Sequence, residues 1–76
     1  MYNELYEAWK REQERADLEK LPPSFYSQIA DYVKKLREEG RMLDKRTVKA
    51  SLVRSETRNV KHMLHGLVRM RYRKLV

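Results

Sequence analysis

His62 and His65 stand three residues apart, a spacing that puts two imidazoles side by side on a helix, as a metal site would need. No third ligand lies nearby in the sequence, and Arg58 and Lys61 would repel the ion, so metal binding is not expected. Asp31 and Glu38, seven apart, fall on one helical face and have the form of an acid–base pair, but Lys34 and Lys35 beside them mark an ordinary solvated surface. Ser24, Ser27, Ser51 and Ser55 have no accompanying base and no oxyanion-stabilising pattern. Tyr6, Trp9 and Phe25 could stack on nucleobases, yet they recur at helical spacing among apolar residues, where aromatic rings serve a core. Cysteine is absent, which removes disulfides and thiolate sites. Neither an enzyme nor a bound cofactor is expected.

The remaining chemistry is charge. Residues 1–40 carry seven Lys/Arg against nine Asp/Glu, whereas residues 41–76 carry eleven Lys/Arg against only Asp44 and Glu56. The net charge of +7 is therefore concentrated in the second half of the chain. There, Lys45 with Lys49, Arg54 with Arg58 and Arg69 with Arg73 are like-charge pairs at i, i+4. Each destabilises an isolated helix by about 0.2–0.5 kcal/mol. Cations in a last helical turn oppose the negative end of the helix dipole, but those between 45 and 61 have no such compensation. An anion is expected close by, from one of three sources: the chain's own carboxylates, an acidic face on a partner protein, or nucleic-acid phosphate. Binding to phosphate would be electrostatic and steeply salt-dependent, without base reading.

Three helices must position these residues. Few β-branched residues, only two glycines and two prolines, and no strand-like alternation make the chain all-α. A first helix is expected over about 3–16, capped by Asn3, with Tyr2, Leu5, Tyr6 and Trp9 on one face and Glu7 with Arg11 and Glu12 with Arg15 outside. Pro22-Pro23 stops it, and Pro23 suits the first turn of a second helix over about 23–39. Phe25, Ile29, Tyr32, Val33 and Leu36 form its apolar stripe, Asp31 with Lys35, Lys34 with Glu38 and Lys35 with Glu39 brace its outside, and Gly40 is placed to end it. Asp44 is a plausible cap for a third helix over about 45–74. Val53, Thr57, Val60, Leu64 and Leu67 form its seam, flanked by Ala50 and Met63.

Thirty residues of helix span about 45 Å, whereas a compact domain of this length spans roughly 30 Å. The expectation is one domain over 1–76, a three-helix bundle whose long basic third helix overhangs the other two. Gly66 is expected to mark a bend or a close approach. With 41% hydrophobic and 38% charged residues, the chain is too apolar for a disordered tail and too charged for a membrane protein. A cytoplasmic setting is expected. So short a chain has marginal stability alone, which gives partner contacts a part in holding the fold.

Three stretches, MYNELYEAWKRE, LPPSFYSQIADYVKKLREE and NVKHMLHGLVRMRYRKLV, resemble in order and rough spacing the N-terminal helical domain of archaeal GINS subunits. The carrying features are Leu21-Pro22 followed by Phe25-Tyr26, and a helix rooted at Asn59 that closes on Arg71-x-Arg73-Lys74. The resemblance implies a non-enzymatic scaffold subunit of a DNA replication complex. It would associate with related subunits, the MCM helicase and a RecJ-like or Cdc-type partner, near the nucleoid. Val53, Val60, Met63, Leu64 and Leu67 would then serve helix packing or an oligomer interface. Arg54, Arg58, Lys61, Arg69, Arg71, Arg73 and Lys74 would meet partners or lie near DNA.

Members of that family continue into a further helix and a small β-rich domain, whereas Leu75-Val76 arrives in mid-pattern. The chain is therefore expected to be a fragment of a longer parent, with uncovered apolar surface and a tendency to self-associate. Two other readings stay open. One is a free-standing nucleic-acid-binding protein acting through its third helix; the other is a dimeric coiled-coil adaptor, which would need that helix's seam turned outward.

Overall fold

The computed structural model describes residues 1–75 and contains three helices, α1 (Tyr2–Glu14), α2 (Phe25–Met42) and α3 (Val48–Leu75). Val76, the last residue of the expected mid-pattern ending, lies outside the described residues. The three-helix, all-α architecture is as the periodicity predicts. The helix ends differ, and each difference has a local cause.

Met1, not Asn3, is the N-cap of α1, and Asn3 lies exposed within the first turn. The terminal ammonium sits 2.8 Å from Glu4 and holds that carboxyl below its usual range. The chain leaves α1 at Arg15, whose backbone is extended and whose N–H closes the last turn on the Arg11 carbonyl at 3.1 Å. α2 begins two residues later than Pro23, because Pro22 to Phe25 form a turn closed by the Phe25 N–H on the Pro22 carbonyl at 3.0 Å.

Gly40 does not end α2. No described glycine has positive φ, and the helix continues to Met42 before the chain straightens at Leu43. A left-handed cap is unnecessary there, because an extended residue makes the exit. α3 in turn starts three residues after Lys45. Asp44 builds the preceding turn instead of capping the helix: its Oδ1 accepts from the Arg46 N–H at 3.0 Å and its carbonyl from the Thr47 N–H at 3.1 Å. Thr47 is the residue that caps α3, with its Oγ1 accepting from the Ala50 N–H at 3.1 Å.

α3 is the spine. Tyr2 lies beside Leu52 and Asn59, Trp9 over Gly66, and Glu12 against Arg71, so α1 runs in the same direction as α3. Gly40 approaches Val53 while Tyr26 lies near Val68 and Tyr72, so α2 runs the opposite way. Between them lies a core of Leu5, Ala8, Phe25, Ile29, Leu36, Val60, Met63 and Leu67. Ala50 and Val53 are buried toward the Gly40 end of α2.

Full burial of an apolar side chain contributes about 1.5–3 kcal/mol, and Leu5, Ile29, Val60 and Leu67 reach that limit. With its seam turned inward, α3 does not have the outward face that a coiled-coil adaptor needs. The 28 residues of α3 exceed the 13 of α1 and the 18 of α2 and set the long dimension of a 43 × 21 × 19 Å rod. The radius of gyration is 14.1 Å, against about 11 Å for a compact domain of this length. Among the described residues, no helix is long and apolar enough to cross a membrane.

Candidate partner-binding groove

The cations divide into two populations. Arg71 and Lys74 continue the buried stripe of α3, four and seven residues beyond Leu67, and they turn inward with it. Glu12, seven beyond Leu5 on α1, is buried with 4% exposure and meets both. Arg71 Nη1 donates to its Oε1 at 2.8 Å, and Lys74 Nζ donates to its Oε2 at 2.6 Å. Lys74 also donates to the carbonyls of Glu12 and Arg15 at 2.9 and 2.7 Å, with that of Asp17 at 3.2 Å sharing one of its three protons, and Arg71 donates to that of Glu19 at 2.6 Å.

These two cations therefore close the open carbonyl end of α1 and tie down the chain that follows it. Their expected place on a partner-facing surface is corrected: both bind within the fold. The expected surface pair of Glu12 with Arg15 is likewise replaced, since Glu12 points inward and Arg15 pairs with Glu19 at 3.0 Å.

The second population faces outward. Arg54, Arg58, Lys61, His65 and Arg69 succeed one another at steps of four, three, four and four along an exposed stripe, with Arg73 one further turn on. Lys49 approaches Glu39 at 3.9 Å, but Arg54, Arg58, Lys61, Arg69 and Arg73 have no carboxylate within 4.0 Å among the described residues. Arg54 reaches only the Lys45 carbonyl, at 3.5 Å. Glu12 thus shares its one negative charge between Arg71 and Lys74, whose remaining bonds go to backbone carbonyls, and among the described residues no carboxylate compensates the outer stripe.

The stripe borders a groove between α2 and α3. At one end Tyr26, Ala30, Leu64, Val68 and Tyr72 form an almost wholly apolar floor, with His65 and Arg69 at the edge. Val68 is 48% and Tyr72 67% exposed, so this is apolar surface in contact with water. The groove continues through Ala30, Val33 and Leu64, now walled by Lys34, Arg37, Glu38 and Arg41. It ends over Leu36, Gly40 and Thr57, between Arg37, Arg41, Lys45 and Arg54. The stretches share residues, Ala30 and Leu64 between the first two and Arg37 and Arg41 between the last two, so they adjoin end to end between α2 and α3.

Of the residues assigned to packing, Val53, Val60, Met63 and Leu67 are buried, and Leu64 is half-buried with one side on the groove. The aromatic side chains separate by depth. Phe25 is buried, while Trp9 is half-buried, packs on the core and lies near the exposed His62 ring. Tyr6 is 40% exposed. Gly66 marks a close approach: a Cβ there would lie 3.0 Å from Trp9 Nε1.

On the opposite flank, Tyr32 donates its hydroxyl proton to Glu56. Burial first, and that carboxylate second, push its pKa well above the ordinary tyrosine value. Among the described residues, no three His, Asp or Glu side chains cluster closely enough to hold a metal ion.

Sequence reasoning placed the exposed stripe but missed the groove beside it. Tyr26, Ala30, Val68 and Tyr72 lie off the main apolar stripes, and the cations Lys34, Arg37 and Arg41 belong to a helix with near-balanced charge. A signal was present: Leu64, Val68 and Tyr72 recur every four residues, as do Tyr26 and Ala30. Comparison with known protein families, characterised proteins and solved structures finds no match for the chain.

Proposed function

We propose that the chain is a non-enzymatic binding module that works by helix–helix association, with the α2/α3 groove as its docking surface. The observation carrying this reading is the exposed apolar floor of Tyr26, Val68 and Tyr72 beside cations that have no carboxylate partner among the described residues. A surface built for phosphate alone needs the cations and gains nothing from leucine and valine in water. Two helices presenting an open apolar groove lack the third element that would cover it, and an added helix fills that place by side-chain interdigitation.

The narrower form of the proposal is a scaffold subunit of a GINS-like replication complex. It rests on the three stretches of sequence resemblance alone. In that setting the groove would receive a helix from a related subunit or helicase partner, and Arg54, Arg58, Lys61, Arg69 and Arg73 would steer the encounter.

The second reading, a basic helix that binds nucleic acid, is favoured by the same uncompensated stripe. A salt titration of binding to a duplex of about 20 base pairs separates the two. Helix association is supported if duplex binding is weak at physiological salt and unaffected by Val68→Glu. Tight duplex binding that falls steeply with salt, together with a chain that never takes up a helical partner, would transfer the function to the basic stripe.

A further inference from the structure

The groove is not uniform along its length, and its gradient identifies the kind of helix that fits it. From Arg54 to Tyr72 it runs about 27 Å along α3, the length of roughly 18 helical residues. The Tyr26–Tyr72 end offers an apolar floor. The other end is walled by Arg37, Arg41, Lys45 and Arg54, and Glu38 is the one carboxylate along the depression among the described residues. Burying these guanidinium and ammonium groups under an uncharged helix would remove their water without replacement. Covering the floor with a polar helix would forfeit the apolar contact.

Resting on the docking reading above, we infer that the occupant is an amphipathic helix of a different chain, apolar where it meets Tyr26 and Tyr72 and acidic where it meets Arg37 and Arg54. Its carboxyl-terminal half is the acidic one, because the negative pole of its dipole then also faces the cations. A second copy of this chain, paired groove to groove, does not satisfy it. A two-fold axis along the groove sets basic end against basic end, and one across it sets basic end against apolar floor. Both arrangements leave cations unmatched.

Fluorescence polarisation with two synthetic peptides of about 18 residues tests this. Both carry leucines at the same inward positions and a side-chain staple on the outer face, so that helix content does not differ; short free helices are marginal in water. One has glutamates flanking the seam of its carboxyl-terminal half, and the other has lysines there. The glutamate peptide is expected to bind at least about tenfold more tightly than the lysine peptide, since like charges across an interface are strongly disfavoured. Arg37→Glu combined with Arg54→Glu should reverse that order. Val68→Glu and, separately, Tyr72→Ser should weaken both peptides; both sites are exposed enough that circular dichroism should show the fold intact.

Equal affinities that are still lost in Val68→Glu overturn the charge assignment while leaving the docking surface in place. If neither peptide binds, both fail. Peptide binding insensitive to Val68→Glu but displaced by duplex DNA overturns the groove in favour of the outer stripe.

Discussion

Glu12 decides how the far end of the molecule is held. Both of its carboxylate oxygens are taken by cations, and its neighbours Arg71 and Lys74 have little solvent to fall back on. Breaking a buried ion pair by removing one member costs about 3–5 kcal/mol, because the surviving charge is left unmatched. Glu12→Gln is therefore expected to lower unfolding stability by about 3 kcal/mol in urea titration, a large share of what so small a domain has. Replacing Glu12, Arg71 and Lys74 together with leucine should recover only part of that loss, because the carbonyls of Glu12, Arg15 and Glu19 then lose their donors.

Tyr32 offers a second test at this scale. Its pKa is raised, so the folded state keeps the proton longer than the unfolded chain. The stability this contributes is intact below the unfolded value of about 10 and is lost as pH climbs through the folded one. Tyr32→Phe, which loses a hydrogen bond worth about 1 kcal/mol at neutral pH, should approach the parent in stability as the titration passes pH 10. The partners of Glu12 also show where residue type misleads. Arg71 and Lys74 look like surface cations by chemistry, yet their helical phase relative to Leu67 places them inside. Phase, not charge, was the better guide.

At the scale of elements, helix number, order and facing were legible because the apolar spacing repeats over many turns. The boundaries were not, because several residues compete to make them. Gly40 has the composition of a stop signal, but Leu43 turns the chain with ordinary extended backbone, and α2 runs on. Asp44 has the composition of a cap, but Thr47 lies at the right distance from the Ala50 N–H.

The two glycines should respond in opposite ways to substitution. Gly40 sits in helical backbone, and a Cβ there meets only Val53 Cγ1 at an ordinary 3.6 Å. Gly40→Ala is therefore expected to raise stability by about 1 kcal/mol, the helix propensity difference. A left-handed cap would have given destabilisation instead. At Gly66 a Cβ already presses on Trp9, and Gly66→Leu should displace the indole, red-shift its emission and lower stability by about 1–3 kcal/mol.

The molecule as a whole is a rod with an ion-paired interior seam and one basic flank beside an open groove. The asymmetry of charge between its halves is visible in the sequence, and five of the seven cations named there, Arg54, Arg58, Lys61, Arg69 and Arg73, lie on the exposed stripe. Which secondary faces of α2 and α3 come together was not visible. It depends on the antiparallel register that brings Tyr26 to Tyr72 and Arg37 toward Arg54, and periodicity within one helix carries no register between two.

Chemical-shift mapping on the isotopically labelled chain, titrated with the glutamate-bearing helical peptide, tests the docking surface most directly. Shifts are expected at the methyl groups of Ala30, Leu64 and Val68, with those of Leu5 and Ala8 on the buried face of α1 unmoved. Shifts confined to the backbone of the outer basic stripe, with the Ala30 and Val68 methyl groups unchanged, would contradict the groove as the place where a partner binds.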